Sequence, residues 1–168
     1  MTTTDVTALP QGDLRLLHAP LAQRLLGSTI PARMAYTAAD GSPRLVPSWF
    51  HWTGTELVLP TFLAAPHVSG PARRLRALRE RPAVAVSIDT EAFPSEVLQL
   101  RGQVTIDEVD GVAPEYAAAA ARHLGEEGAA EYLSQIDVLG TRMARIVLRP
   151  TWVGLLDFQT RSPAALTT

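Results

Sequence analysis

The chain has 168 residues, 46% of them apolar, which is enough for one domain with a core of its own. It has no cysteine, so disulfides, thiolate nucleophiles and Cys-ligated zinc or iron–sulfur centres are excluded. A formal net charge of −2 argues against a nucleic-acid-binding surface, and no apolar run approaches the roughly 20 residues of a membrane span.

Residues 1–12 are polar and end in Pro10-Gln11-Gly12, so they are expected to form a flexible N-terminus. Met1-Thr2-Thr3-Thr4-Asp5 lacks the basic and apolar regions of a signal peptide, and the expected location is cytoplasmic. Leu14, Leu17, Leu21 and Leu25 recur at helical spacing, with Pro20 suited to start the main helix and Gly27 to stop it. Strands are predicted over 30–38, 44–52 and 56–61, separated by the tight-turn dipeptides Asp40-Gly41 and Thr53-Gly54. Pro47 and Pro60 lack a ladder donor, which places these strands at an edge, an end or a bulge. Residues 62–70 read as a loop. A short arginine-rich helix follows over about 71–80, opened by Ser69-Gly70-Pro71.

Further strands are predicted over 83–89 and 97–107, the second with a bulge at Gly102. Two helices, 112–124 and 126–138, are separated near Gly125, and strands 143–149 and 151–158 close the domain. Residues 159–168 are expected to be a flexible C-terminus. Antiparallel hairpins dominate and no βαβ alternation appears. The expectation is a single domain over 13–158, mainly β with peripheral helices (α+β), built as a small antiparallel barrel.

Three features bear on chemistry. Arg73, Arg74, Arg76, Arg79 and Arg81 crowd one short helix. Its uncapped N–H groups, its dipole and its guanidinium groups suit a phosphate, although a solvated basic face above Leu75 and Leu78 explains the same spacing. Val46-Pro47-Ser48-Trp49-Phe50, together with Pro60-Thr61, offers aromatics and hydroxyls on neighbouring strands. That set suits a planar ring or an ordinary core hairpin. Gln99, Arg101 and Gln103 alternate along one strand, so all three share a face turned to solvent or to a polar ligand across a subunit boundary.

His18, His51, His67 and His123 have no metal-ligand spacing, and no metal site is expected. There is no nucleophile elbow, no phosphate-binding glycine loop and no recognisable acid–base pair, so no catalytic side chain is assigned. An enzyme with this inventory relies on a cofactor.

The order of these features resembles the split-barrel superfamily of pyridoxamine 5'-phosphate oxidases and deazaflavin (F420)-dependent reductases. The stretches that carry the resemblance are Arg33–Phe50, Leu57–Thr61, Arg73–Val84, Leu100–Val104 and Arg145–Phe158. The resemblance implies an antiparallel split β-barrel of FMN-binding type that works as a homodimer. It also implies a bound FMN, or alternatively F420, acting on a small organic substrate. Arg74 falls where the cofactor phosphate is held, with Arg73 and Arg76 beside it. Pro47, Ser48, Trp49 and Thr61 would border the ring. Gln99 and Arg101 would reach it from the partner subunit, and Trp152 would stand near the pocket.

The chain departs from the relatives at Ala77, where they often carry Asn, and in the longer, more apolar loop 62–70. The basic residues that recognise pyridoxal phosphate in true oxidases are not seen, so vitamin B6 synthesis is not predicted. The functional expectation is a flavin- or deazaflavin-dependent oxidoreductase. The alternative is a non-catalytic protein that binds or senses flavin or haem.

Overall fold

A computed structural model describes residues 9–68, 70 and 72–161 of the chain. A 3-10 helix, Leu14–His18, begins after Asp13, whose carboxylate accepts the Arg15 N–H. Helix α1, Pro20–Leu26, starts on its proline and ends at Gly27, as the sequence predicts. Its buried residues are Ala22, Leu25 and Leu26. The helical spacing does not run unbroken from Leu14. Ala19 is extended between the two helices, and this break turns Leu16 fully inward while Leu14 stays 44% exposed.

Seven strands follow: β1 Ala32–Thr37, β2 Pro43–Ser48, β3 His51–Trp52, β4 Leu57–Ala64, β5 Ala83–Asp89, β6 Val97–Asp110 and β7 Arg142–Leu156. Helix α2, Arg73–Glu80, lies between β4 and β5, and α3, Pro114–Ile136, between β6 and β7. The strands form one antiparallel sheet in the order β2-β1-β5-β6-β7-β4-β3.

This order dictates the shape. β2 and β3 lie at opposite ends of the sheet, yet only Trp49 and Phe50 separate them in sequence. Consecutive Cα atoms are about 3.8 Å apart, so Ser48 and His51 lie within roughly 11 Å. The sheet therefore curls until its two edges face each other. Inward residues of β1, β4, β5, β6 and β7 meet in a single apolar cluster, with Phe50 fully buried at the seam.

Seen this way, the predicted strand 44–52 is two strands on opposite edges. Pro47 sits on edge strand β2, and Pro60 lies beyond the two-residue pairing of β3, so neither removes a needed ladder bond. β4 continues through the predicted loop as far as Ala64, because Phe62 and Ala64 still pair with β7 across a bulge.

Where two C-terminal strands are predicted, β7 is continuous. The register shifts between Arg101 and Gly102 of β6, which pair with Trp152 and Pro150, leaving Thr151 as the extra residue. Inward positions on β7 accordingly change from Ala144, Ile146 and Leu148 to Val153 and Leu155. The missing proline N–H falls at this irregularity. Gly102 is required there: a Cβ on it would lie 2.6 Å from the Arg149 carbonyl oxygen.

α3 bends at Gly125, whose φ of 76° and ψ of 167° suit glycine, at the predicted boundary between two helices. Residues 9–12 are not a loose end. Gly12 N–H donates to the Val153 carbonyl at 2.7 Å, and the Gln11 amide pairs with the Leu155 backbone in both directions at 2.8 Å. α2 starts at Arg73 with Ala72 as its cap. The predicted opening at Ser69 and Pro71 lies outside the described residues.

Candidate functional site

Leu57, Leu59 and Leu63 of β4 point into the barrel, and alternation sends Thr61 the same way. Thr61 is thus a buried hydroxyl in an otherwise leucine-lined row. Its partner comes from α2: Arg74 Nη2 donates to Thr61 Oγ1. Leu75, Ala77 and Leu78 bury the other face of α2 and fix the helix against the barrel.

Arg74 is half-buried. Burial pushes its guanidinium pKa below the ordinary value, opposed in part by Tyr36, and it remains a cation at neutral pH. Among the described residues neither Arg73 nor Arg74 has a carboxylate partner. The other arginines of the helix do: Arg76 pairs with Glu80 at 3.2 Å, Arg79 with Glu108 at 2.5 Å and Arg81 with Glu80 at 3.4 Å.

Arg73, Arg74 and Arg76 line an open pocket of about 610 Å³. Its opposite wall is the β1–β2 hairpin, which supplies Tyr36, Asp40 and Arg44. The pairing of Tyr36 with Arg44 across this hairpin places Arg44 there. Sequence reasoning missed Arg44. The Asp40-Gly41 turn fixes the hairpin register, but only the packing of α2 brings the turn opposite the arginines.

The other expected site residues divide into separate groups. Pro47 and Ser48 lie at the far end of β2 from Arg44, four residues or roughly 13 Å along the strand. The Ser48 hydroxyl donates to the Trp49 carbonyl at 2.9 Å. Trp49 is drawn under α3, where its ring stacks on His123 at 4.5 Å and tilts against Tyr116 at 5.6 Å. Tyr116 and Tyr132 share a hydrogen bond of 2.7 Å. Burial, then that bond, holds the Tyr116 phenol above its usual pKa.

Beside Trp49, Arg122 donates to the Phe50 carbonyl and lies over the Phe50 ring, 4.7 Å from its centroid. Arg122 Nε and His123 Nε2 are buried without a hydrogen-bond partner among the described residues. Burial, reinforced by Arg122, lowers the His123 pKa and favours the neutral imidazole.

Gln99 and Arg101 face outward on β6. They line a shallow pocket of about 180 Å³ with Arg33, Leu45 and Ser87 on the outer face of the sheet. The Arg101 guanidinium stacks over Trp152, 3.9 Å from the ring centroid. Within one chain this group and the Arg74–Thr61 pair lie on different faces. Among the described residues no cluster of three metal-ligating side chains occurs, and no helix is long and apolar enough to cross a membrane.

No family model and no curated protein matches the chain. Solved structures do. An F420 reductase has 25% sequence identity and a TM-score of 0.58, with 79% of this chain and 94% of that one covered. A FAD- and heme-binding protein from Mycobacterium smegmatis has 22% identity and a TM-score of 0.52, covering 84% and 72%. A protein proposed to be a pyridoxamine 5'-phosphate oxidase from Listeria innocua has 18% identity and a TM-score of 0.50, covering 82% and 92%. The sheet that closes on itself at Trp49 and Phe50 is thus the split barrel of pyridoxamine 5'-phosphate oxidase-like proteins.

Proposed function

We propose that the pocket between α2 and the β1–β2 hairpin binds the phosphate of a flavin or deazaflavin, FMN or alternatively F420, and that the protein is an oxidoreductase acting on a small organic substrate. The observation that carries this reading is Arg74, a half-buried cation held on the Thr61 hydroxyl with no carboxylate partner among the described residues. A phosphate there gains charge-assisted hydrogen bonds from Arg74 and Arg73, two guanidinium groups that pair with no carboxylate among the described residues. When bound, the cofactor supplies the hydride chemistry for which the chain has no side chains. The protein's part is to grip the phosphate, to border the ring with Pro47 and Ser48, and to limit water.

This function needs a homodimer. Gln99, Arg101 and Trp152 lie on an outer sheet face where Leu45 is 65% exposed, and a second copy laid against this face would bring the three residues to its partner's ligand. The expected compartment is the cytoplasm. Trp49 has a lesser role here than the resemblance implies, since its ring is engaged with α3, whereas Arg76, held only by an exposed pair with Glu80, is a third cation of the pocket.

The absorbance spectrum of the purified protein, with mass identification of any released chromophore, tests the reading. Arg74→Ala is expected to weaken FMN or F420 binding by about 10- to 100-fold. Colourless protein that binds neither compound in titration would overturn it.

A non-catalytic protein that binds or senses flavin or haem is the second reading. It is favoured by the pocket's inventory of arginines, Tyr36 and an already paired Asp40, which contains no acid–base couple. It requires that the loaded protein turn over with no reductant or acceptor.

A further inference from the structure

The phosphate reading accounts for Arg73 and Arg74 but leaves the other wall of the pocket unexplained. That wall carries one cation, Arg44, and one anion, Asp40. The turn fixes the anion. Asp40 Oδ1 accepts the Ser42 N–H at 3.0 Å and also the Ser42 hydroxyl. These bonds, the hydroxyl first, hold its carboxyl below the ordinary pKa, so it stays ionised at neutral pH. Asp40 Oδ2 faces Arg44 Nη2 at 3.1 Å. Both side chains are more than half exposed, at 51% and 62%, and a pair so wetted is weak and exchanges partners readily.

We propose that Arg44 is a second anion contact of this pocket, held in reserve by Asp40. A ligand that carries a second anionic group beyond the one gripped by Arg74 draws Arg44 away from Asp40. A ligand with a single anionic group leaves the pair intact. Asp40 is then the specificity-determining residue for the ligand's tail. It competes with the second negative group for the Arg44 guanidinium, so it sets how much affinity extra charge can add. This inference rests on the pocket being the anion site proposed above.

Geometry distinguishes this role from a simple field effect. A carboxylate that only adds negative potential would weaken every anion whether or not Arg44 is present. A carboxylate that acts by holding Arg44 matters only while Arg44 is there and only for ligands that reach it.

The test is calorimetric titration of the full chain with inorganic phosphate and with pyrophosphate at fixed ionic strength. The proteins are wild type, Arg44→Ala, Asp40→Asn, the double variant of these two and Arg74→Ala, with thermal melts to verify folding. Asparagine can still accept the Ser42 N–H, so the turn is kept. Asp40→Asn is expected to tighten pyrophosphate about 3- to 10-fold, and to change phosphate by less than about 2-fold. In the Arg44→Ala background its effect on pyrophosphate should vanish.

An Asp40→Asn effect that persists undiminished without Arg44 overturns the reserve role. So does an equal effect on both anions. If Arg74→Ala abolishes phosphate binding while these couplings are absent, the anion site stands and only the reserve role falls. If wild type binds neither anion, both fall together.

Discussion

An arginine half removed from water loses hydration that a single neutral hydroxyl does not replace. Arg74 sits in this situation, its Nη2 on Thr61 and its remaining donors available to the pocket. Thr61 therefore orients the cation: its hydroxyl interrupts the leucine row of β4 at the one place where α2 delivers a guanidinium. Thr61→Val keeps shape and strand propensity but removes the acceptor. It is expected to weaken phosphate or FMN binding about 3- to 10-fold through misplacement of Arg74, and to cost about 1–3 kcal/mol of stability, because a half-buried donor loses its acceptor. Isothermal titration and a denaturant melt on the same sample check both halves. A loss as large as that of Arg74→Ala would mean that Thr61 touches the ligand itself.

Between elements, α3 is tied to β7 by a bidentate pair. Arg145 donates from Nη2 and Nε to Glu115 at 2.5 and 3.0 Å. Burial is the largest single influence and would raise the Glu115 pKa, but the Arg145 hydrogen bonds, a backbone N–H at Glu115 and the charges of Arg145 and His51 together outweigh it, and the carboxyl titrates below its ordinary 4.5. A carboxyl depressed in the folded state stabilises the fold above its unfolded pKa and loses that contribution as pH falls through the folded value. Glu115→Gln should cost about 1–2 kcal/mol at pH 7, a difference from wild type that shrinks in urea melts taken below about pH 4.

The β6–β7 irregularity is the second junction. Gly102→Ala presses a methyl against the Arg149 carbonyl, and should cost about 2 kcal/mol and lower Tm by about 4–8 °C in a calorimetric scan.

Local chemistry made these junctions legible in the sequence. Asp40-Gly41, Thr53-Gly54, Gly102 and Gly125 each mark a place where only a turn or bulge residue fits, and each marks one here. The break between β2 and β3 had no such signal. Residues 44–52 read as one aromatic-rich strand, and the break at Trp49 and Phe50 is imposed by barrel closure, a tertiary effect. The same break turned Trp49 under α3, where strand alternation could not place it. Arg44 escaped notice for a related reason: nothing within the hairpin reveals that α2 packs opposite.

At the scale of the molecule, the outer sheet face around Arg101 is lined, among the described residues, by strand residues. Its β1, β2, β5 and β6 positions include Ala35, Leu45, Ala85, Ser87 and Gln99. If the homodimer forms there, wild type should sediment at twice the 18.1 kDa chain mass, and Leu45→Arg should sediment as the monomer with its far-ultraviolet dichroism unchanged. Loss of cofactor binding in that same monomer would place Gln99 and Arg101 at the neighbour's pocket.

The seam at Trp49 and Phe50 has a mechanical consequence. No ladder joins β2 to β3 among the described residues, so along this seam the cylinder is held shut, beyond its apolar interior, by a covalent staple two residues long and by Arg122 riveted over Phe50. A nick at the staple would sever no rung of the sheet. It would leave the cylinder closed by its apolar interior and by Arg122 over Phe50, with the span from Ser48 to the arginines of α2 no longer fixed by the chain itself.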